Sequence, residues 1–159
     1  GRKRQAGIQL MYELKDLYQE VIVDHNRSPR NFGKLEEASH VLEGYNPLCG
    51  DRLKLYVKLK DDKIENIAFD GSGCAISVAS ASLMTEALKG KKMSEAEGIF
   101  QSFHEMVTSN SAVMDYDKMG KLGAIAGVRD YPTRVKCATL CWHTLHSIIK
   151  GEVAPVSTE

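Results

Sequence analysis

Residues 52–60, RLKLYVKLK, alternate without a break between charged or aromatic side chains and the aliphatic row Leu53, Leu55, Val57 and Leu59. Successive side chains of a strand point to opposite faces, so the pattern predicts a half-buried strand. Asp61-Asp62-Lys63 supplies turn chemistry, and Ile64–Phe69 reads as the return strand of a hairpin broken by Gly71-Ser72-Gly73. A short strand over 39–45 is also expected. An antiparallel sheet is therefore the element around which the rest of the chain has to be arranged.

The inward row of that strand raises a chemical question at its start. The preceding residues read YNPLCGDR, and Cys49 and Asp51 share parity with Leu53, Leu55 and Val57. An aspartate is rarely buried without a partner. Parity puts the pair where the inward face of the sheet reaches its rim.

The remaining segments read as helices. Residues 9–25 place Leu10, Leu14, Leu17, Val21 and Ile22 at helical spacing, and Asn26–Gly33 ends that helix with turn residues. Residues 75–89 form a helix rich in small residues, stopped by Gly90. Ser94 with Glu97 forms a capping-box pattern opening a helix to Thr108, whose inward face is Ala96, Ile99, Phe100, Phe103 and Val107. Ser109–Asp117 reads as a loop and Lys121–Val128 as a short apolar helix. Pro132 opens a long last helix ending at Lys150–Gly151. Strands followed by helices predict an α+β fold: one domain, with a small antiparallel sheet of about three strands and helices on one face. Residues 1–8 are expected to be disordered or an expression remnant, 9–151 the folded domain, and 152–159 a flexible tail.

The chain has 159 residues, 43% hydrophobic and 26% charged, with formal net charge zero. Such a balance argues against a domain held to nucleic acid by a positive field. No apolar run approaches the roughly 20 residues of a membrane span, and the basic N-terminus leads into no apolar signal core, so cytoplasm is the expected compartment.

Four cysteines are present: Cys49, Cys74, Cys137 and Cys141. In a cytosolic chain they read as metal ligands or reactive thiols rather than disulfides. Cys74 follows Gly71-Ser72-Gly73 at the start of the small-residue helix. Cys137 is expected in the first turn of the last helix, and both positions favour thiolate. Three thiols and one carboxylate at element ends make the kind of four-donor set that zinc takes. Spacing alone leaves open whether they meet or are scattered core thiols. Cys141 falls on the stripe with Ala138, Leu145 and Ile148 and reads as core. His143 and His146 lie away from the Cys137 stripe, and His25, His40 and His104 have no partner that spacing identifies. Ser77, Ser80 and Ser82 read as small packing residues.

Taken together, LYQEVIVDHNRSPRNFG, LCGDRLKLYVKL, FDGSGCAISVASASLM and RVKCATLCWHTL resemble the U-type iron–sulfur cluster assembly family (the IscU and NifU N-terminal type), and within it the SufU branch. The resemblance runs from Leu10 to Lys150. It implies a compact α+β fold with a surface metal site whose ligands, carried over by motif, are Cys49, Asp51, Cys74 and Cys137. It implies Zn²⁺ as the metal and a sulfurtransferase role. Cys49 would accept persulfide sulfur from a SufS-like cysteine desulfurase and pass it toward downstream iron–sulfur assembly proteins. Asp51 would control ligand exchange as the weaker, more labile donor. Three thiolates, a carboxylate and Zn²⁺ leave about two negative charges, which Arg134 and Lys136 beside Cys137 are placed to offset. The alternative is a scaffold for a transient [2Fe–2S] cluster, because thiolates bind both metals. Lys136 stands where the scaffold branch has histidine, the double-proline chaperone motif is absent from Asp130–Lys136, and the stretch around Lys92–Asp117 resembles the extra segment of the SufU branch.

Overall fold

The computed structural model describes residues 18–108 and 119–158. The expectations for residues 1–8, the first half of the opening helix and the loop at 109–117 fall outside them. A helix, α1, covers 18–27. It is followed by β1 (His40–Asn46), β2 (Asp51–Lys60), β3 (Lys63–Ser72), α2 (Ala75–Leu88) and α3 (Met93–Thr108). A 3₁₀ helix (Gly120–Asp130), α4 (Pro132–Ile149) and β4 (Val156–Ser157) complete the order.

The alternation in β2 becomes burial in the structure. Asp51, Leu53, Leu55 and Val57 are buried, while Arg52 is exposed and Lys54 half-buried. Asp61 and Asp62 both adopt positive φ, at 52° and 61°, the backbone of the two-residue hairpin turn that matches strand twist. Ile64 and Ile67 are three apart yet both fully buried. A register shift between Lys58 and Leu59 reconciles them, pairing Val57 with Ile67 and Leu59 with Ile64.

The sheet order is β3-β2-β1-β4. β1, β2 and β3 are antiparallel, but β4 runs parallel to β1, with Gly44 opposite Val156 and Tyr45 opposite Ser157. The sheet is thus mixed and four-stranded rather than three-stranded and antiparallel. The fourth strand comes from the segment expected to be a flexible tail, where Thr158 N–H donates to Tyr45 O at 3.0 Å. Two residues held by backbone bonds leave no apolar pattern to read.

α4 lies across β1 and β2, and α2 packs between α4 and β3. Close approach depends on small residues. Any side chain at Gly44 would run into Thr144 and Leu140 of α4. On α2, Ser80 Oγ donates to Ala138 O at 2.6 Å and accepts from Trp142 Nε1 at 3.2 Å. Ser82 Oγ accepts from Arg30 N–H at 2.8 Å and meets His25 Nδ1 at 2.7 Å. These hydroxyls pack, as their size suggests, and also satisfy buried polar groups that would otherwise be costly. Trp142 stacks on Phe103 with ring centroids 4.4 Å apart, joining α4 to α3.

α3 begins one residue before the expected cap. Ser94 therefore lies inside the helix, and Lys92 N–H is met by Glu95 Oε1 at 3.4 Å. Glu97 turns instead to His146 Nδ1 on α4, at 2.8 Å.

Candidate metal centre

Three elements end at one point on the surface. The first is the β1–β2 connection, where Asn46 and Asp51 are directly opposite each other across the hairpin. Cys49 N–H closes the turn onto Asn46 O at 3.3 Å, and Gly50 takes a left-handed φ of 71°. Cys49 therefore sits in the turn and not on the strand, so parity does not aim its side chain as the sequence reading supposed. It is exposed, whereas Asp51 is buried.

The second element is the start of α2. Cys74 is the N-cap, and its sulfur accepts from Ser77 N–H at 3.4 Å. Its own N–H donates to Asp51 Oδ1 at 2.8 Å. Gly73 makes this approach possible, because a Cβ there would stand 2.6 Å from Asp51 Oδ1 and 3.2 Å from Ser77 Oγ. Gly73→Ala is accordingly expected to push the carboxylate out of place while leaving the core intact. The expected result is weaker metal retention against a chelator with an unchanged far-UV dichroism spectrum, and unaltered retention would count against this placement of Asp51.

The third element is α4. With Pro132 at its first position, Cys137 lies in the second turn, not the first, and its sulfur contacts Thr133 O at 3.4 Å within the helix. Free N–H groups at the helix start thus do not reach it. Burial, followed by hydrogen bonding with Cys49, Asp51 and Cys74, pushes the Cys137 thiol well above its ordinary range. Without a cation the cluster favours a protonated Cys137, opposite to what the position suggested from sequence. A divalent ion inverts that balance.

One donor atom each from Cys49, Asp51 and Cys137 fall within 4.8 Å of one another. Donors around one four-coordinate zinc stand roughly 3.5–4 Å apart, so small side-chain rotations suffice to close on an ion. Cys74 is near enough to help raise the Cys137 thiol, but its sulfur is not within 4.8 Å of all three. That sulfur is met instead by the Ser77 N–H at 3.4 Å. Two soft thiolates, a third nearby and a hard carboxylate form a donor set that fits zinc.

The sequence reading missed Asn46. It is completely buried, and its Nδ2 donates to Asp51 Oδ2 at 3.1 Å and to Cys137 Sγ at 3.3 Å. Its Oδ1 is buried with no partner, which costs about 1–3 kcal/mol. The signal was available: Asn46 shares parity with Leu42 and Gly44, the inward row of β1.

The other candidates lie outside the cluster. Arg134 extends over the Tyr131 ring at 5.4 Å. Lys136 lines an open depression of about 420 Å³ with Thr139, His143, His146 and Glu152. Cys141 is in the core, 3.6 Å from Ser80 Oγ, with burial pushing its thiol up to about 12. His143 and His146 gather with His104 around Phe100, His146 stacked on that ring at 4.8 Å. No helix among the described residues is long and apolar enough to cross a membrane.

A family model of the NifU-like N-terminal domain matches residues 17–138. The chain is 42% identical over 139 residues to the zinc-dependent sulfurtransferase SufU of Bacillus subtilis (strain 168), covering 87% of this chain and 93% of that protein. It is also 42% identical over 138 residues to the iron–sulfur cluster assembly scaffold protein IscU of Streptococcus pyogenes serotype M1, covering 87% and 86%. Among solved structures, a candidate iron–sulfur cluster assembly scaffold protein for the SUF system from Fervidobacterium islandicum AW-1 superposes with a TM-score of 0.73 at 38% identity. That match covers 80% of this chain and 92% of the other.

Proposed function

We propose that this chain, which belongs to the NifU-like N-terminal domain family, serves iron–sulfur cluster assembly as a zinc-holding acceptor of persulfide sulfur from a cysteine desulfurase. The observation that carries the reading is the asymmetry of the cluster. Its three converging donors come from the β1–β2 hairpin and α4, yet Cys49 is exposed while Asp51 and Cys137 are buried. An arrangement serving only to brace the fold has no need to keep one thiol open to solvent in a turn.

The ligand set under this reading is Cys49, Asp51, Cys137 and, after rotation, Cys74. When bound, zinc supplies the positive charge that keeps these thiols ionised near neutral pH. The Cys49 sulfur attacks the terminal sulfur of the desulfurase persulfide. A new S–S bond forms on Cys49 as the persulfide S–S bond breaks, and the electron pair leaves with the desulfurase cysteine as thiolate. Sulfur is transferred with no net oxidation. Asp51 is held at both oxygens, by Cys74 N–H and Asn46 Nδ2, and so keeps its place while Cys49 moves. Arg134 and Lys136 lie close enough along α4 to guide an acidic docking surface.

The second reading is a scaffold that receives a [2Fe–2S] cluster as cargo on the same cysteines, favoured by the scaffold names of two of the relatives. Elemental analysis of the purified protein, with mass spectrometry after incubation with a cysteine desulfurase and cysteine, separates the two. Stoichiometric zinc and one added sulfur on Cys49 support the transfer reading. Iron with a visible-range chromophore and no Cys49 adduct would replace it with the scaffold.

A further inference from the structure

We infer that Asn46 is the positioning residue of this site, its carboxamide holding the Asp51 carboxylate and the Cys137 sulfur in register; the inference rests on the metal-site reading above. The two groups come from parts of the chain 86 positions apart in number, and neither Cys49 nor Cys74 joins them through a paired donor of this kind. Asn46 Nδ2 has two hydrogens, and the two acceptors at 3.1 Å and 3.3 Å use both. The reverse orientation of the amide would set its oxygen against a carboxylate oxygen and a sulfur, which repel it once ionised. The orientation is therefore fixed by the site.

The orphaned Oδ1 strengthens the case. A fully buried amide whose oxygen has no partner contributes poorly to folding, and an apolar side chain of similar volume would suit the inward row between Leu42, Gly44 and α4 better. What the amide provides there is its pair of donors. An N–H bond to a thiolate withdraws charge from sulfur and fixes the direction of its lone pairs. The bond to Asp51 Oδ2, with Cys74 N–H on Oδ1, fixes the plane of the carboxylate. Asn46 also closes the hairpin opposite Asp51, so the turn carrying Cys49 starts from the same residue. One side chain thus references the sheet, the turn and α4 to each other, as partners of metal ligands commonly do.

Cobalt(II) substitution tests this directly, because a thiolate-to-cobalt charge-transfer band responds to hydrogen bonding at sulfur. In Asn46→Leu that band is expected to move to lower energy, and zinc affinity in competition with a chromophoric chelator to fall roughly 10- to 100-fold. Both changes are required. Weaker affinity with an unmoved band would assign Asn46 a packing role and overturn the inference, as would an unchanged affinity. If Asn46→Leu does not fold, Asn46→Ser carries the same expectation without the added bulk. If the wild-type chain shows no thiolate charge-transfer band with cobalt at all, the metal-site reading falls first and this inference falls with it.

Discussion

Cys49→Ala is expected to abolish persulfide acceptance, reducing the sulfur recovered on the chain after incubation with desulfurase and cysteine to background. Geometry gives the reason. Cys137 and Cys141 are each only 2% exposed, and the Cys74 sulfur is engaged at the start of α2. Of the four thiols Cys49 is the exposed one, in a turn closed by Cys49 N–H and a left-handed Gly50. A persulfide carried on another protein's surface has to be met by a sulfur that can approach along its S–S axis. Cys141→Ala, by contrast, is expected to leave acceptance intact. Cys49→Ser divides the two roles of the residue: it leaves a small polar side chain in the turn but removes the sulfur nucleophile. Sulfur appearing on Cys74 or Cys137 at the wild-type rate in Cys49→Ala would show that the acceptor is another thiol.

The parts of this site that could be read in advance are those set by strand period and helix caps. Asp51 is buried because it continues the row of Leu53, Leu55 and Val57, and Cys74 caps α2 because glycine and a small-residue run precede and follow it. Parity failed at Cys49, since it assumes extended backbone through Gly50, and a left-handed glycine ends that assumption. The first-turn placement of Cys137 failed by a count of residues from Pro132, which moves the sulfur from free N–H groups into the helix interior. The register shift at Lys58/Leu59 and the parallel strand at Val156–Ser157 depend on backbone pairing across distant segments. Neither leaves a side-chain pattern. Asn46 was legible by the argument that found Asp51, a polar residue on an inward row.

Stripping the metal is expected to lower the unfolding temperature sharply, by roughly 8–16 °C. The size follows from linkage: a ligand held at about a thousand times its dissociation constant adds about 4 kcal/mol, and a domain of this length shifts by roughly 2–4 °C for each kcal/mol. The structure says why the effect is felt by the whole domain. Asp51 is the first residue of β2, Cys74 the cap of α2 and Cys137 part of α4, so an ion held by all of them ties the sheet to both helices that cover it. Without one, a buried carboxylate remains beside a thiol that burial and its neighbours keep protonated. Loading the site must displace that proton, and zinc affinity is therefore expected to fall as pH is lowered. Thermal unfolding with and without a chelator, under reducing conditions, checks the first expectation. Repeating it with Cys49→Ser tests whether the exposed donor contributes less to the fold than the buried pair. Coincident melting curves for loaded and stripped protein would mean that the cation braces nothing and that the buried hydrogen bonds of Asp51 suffice alone.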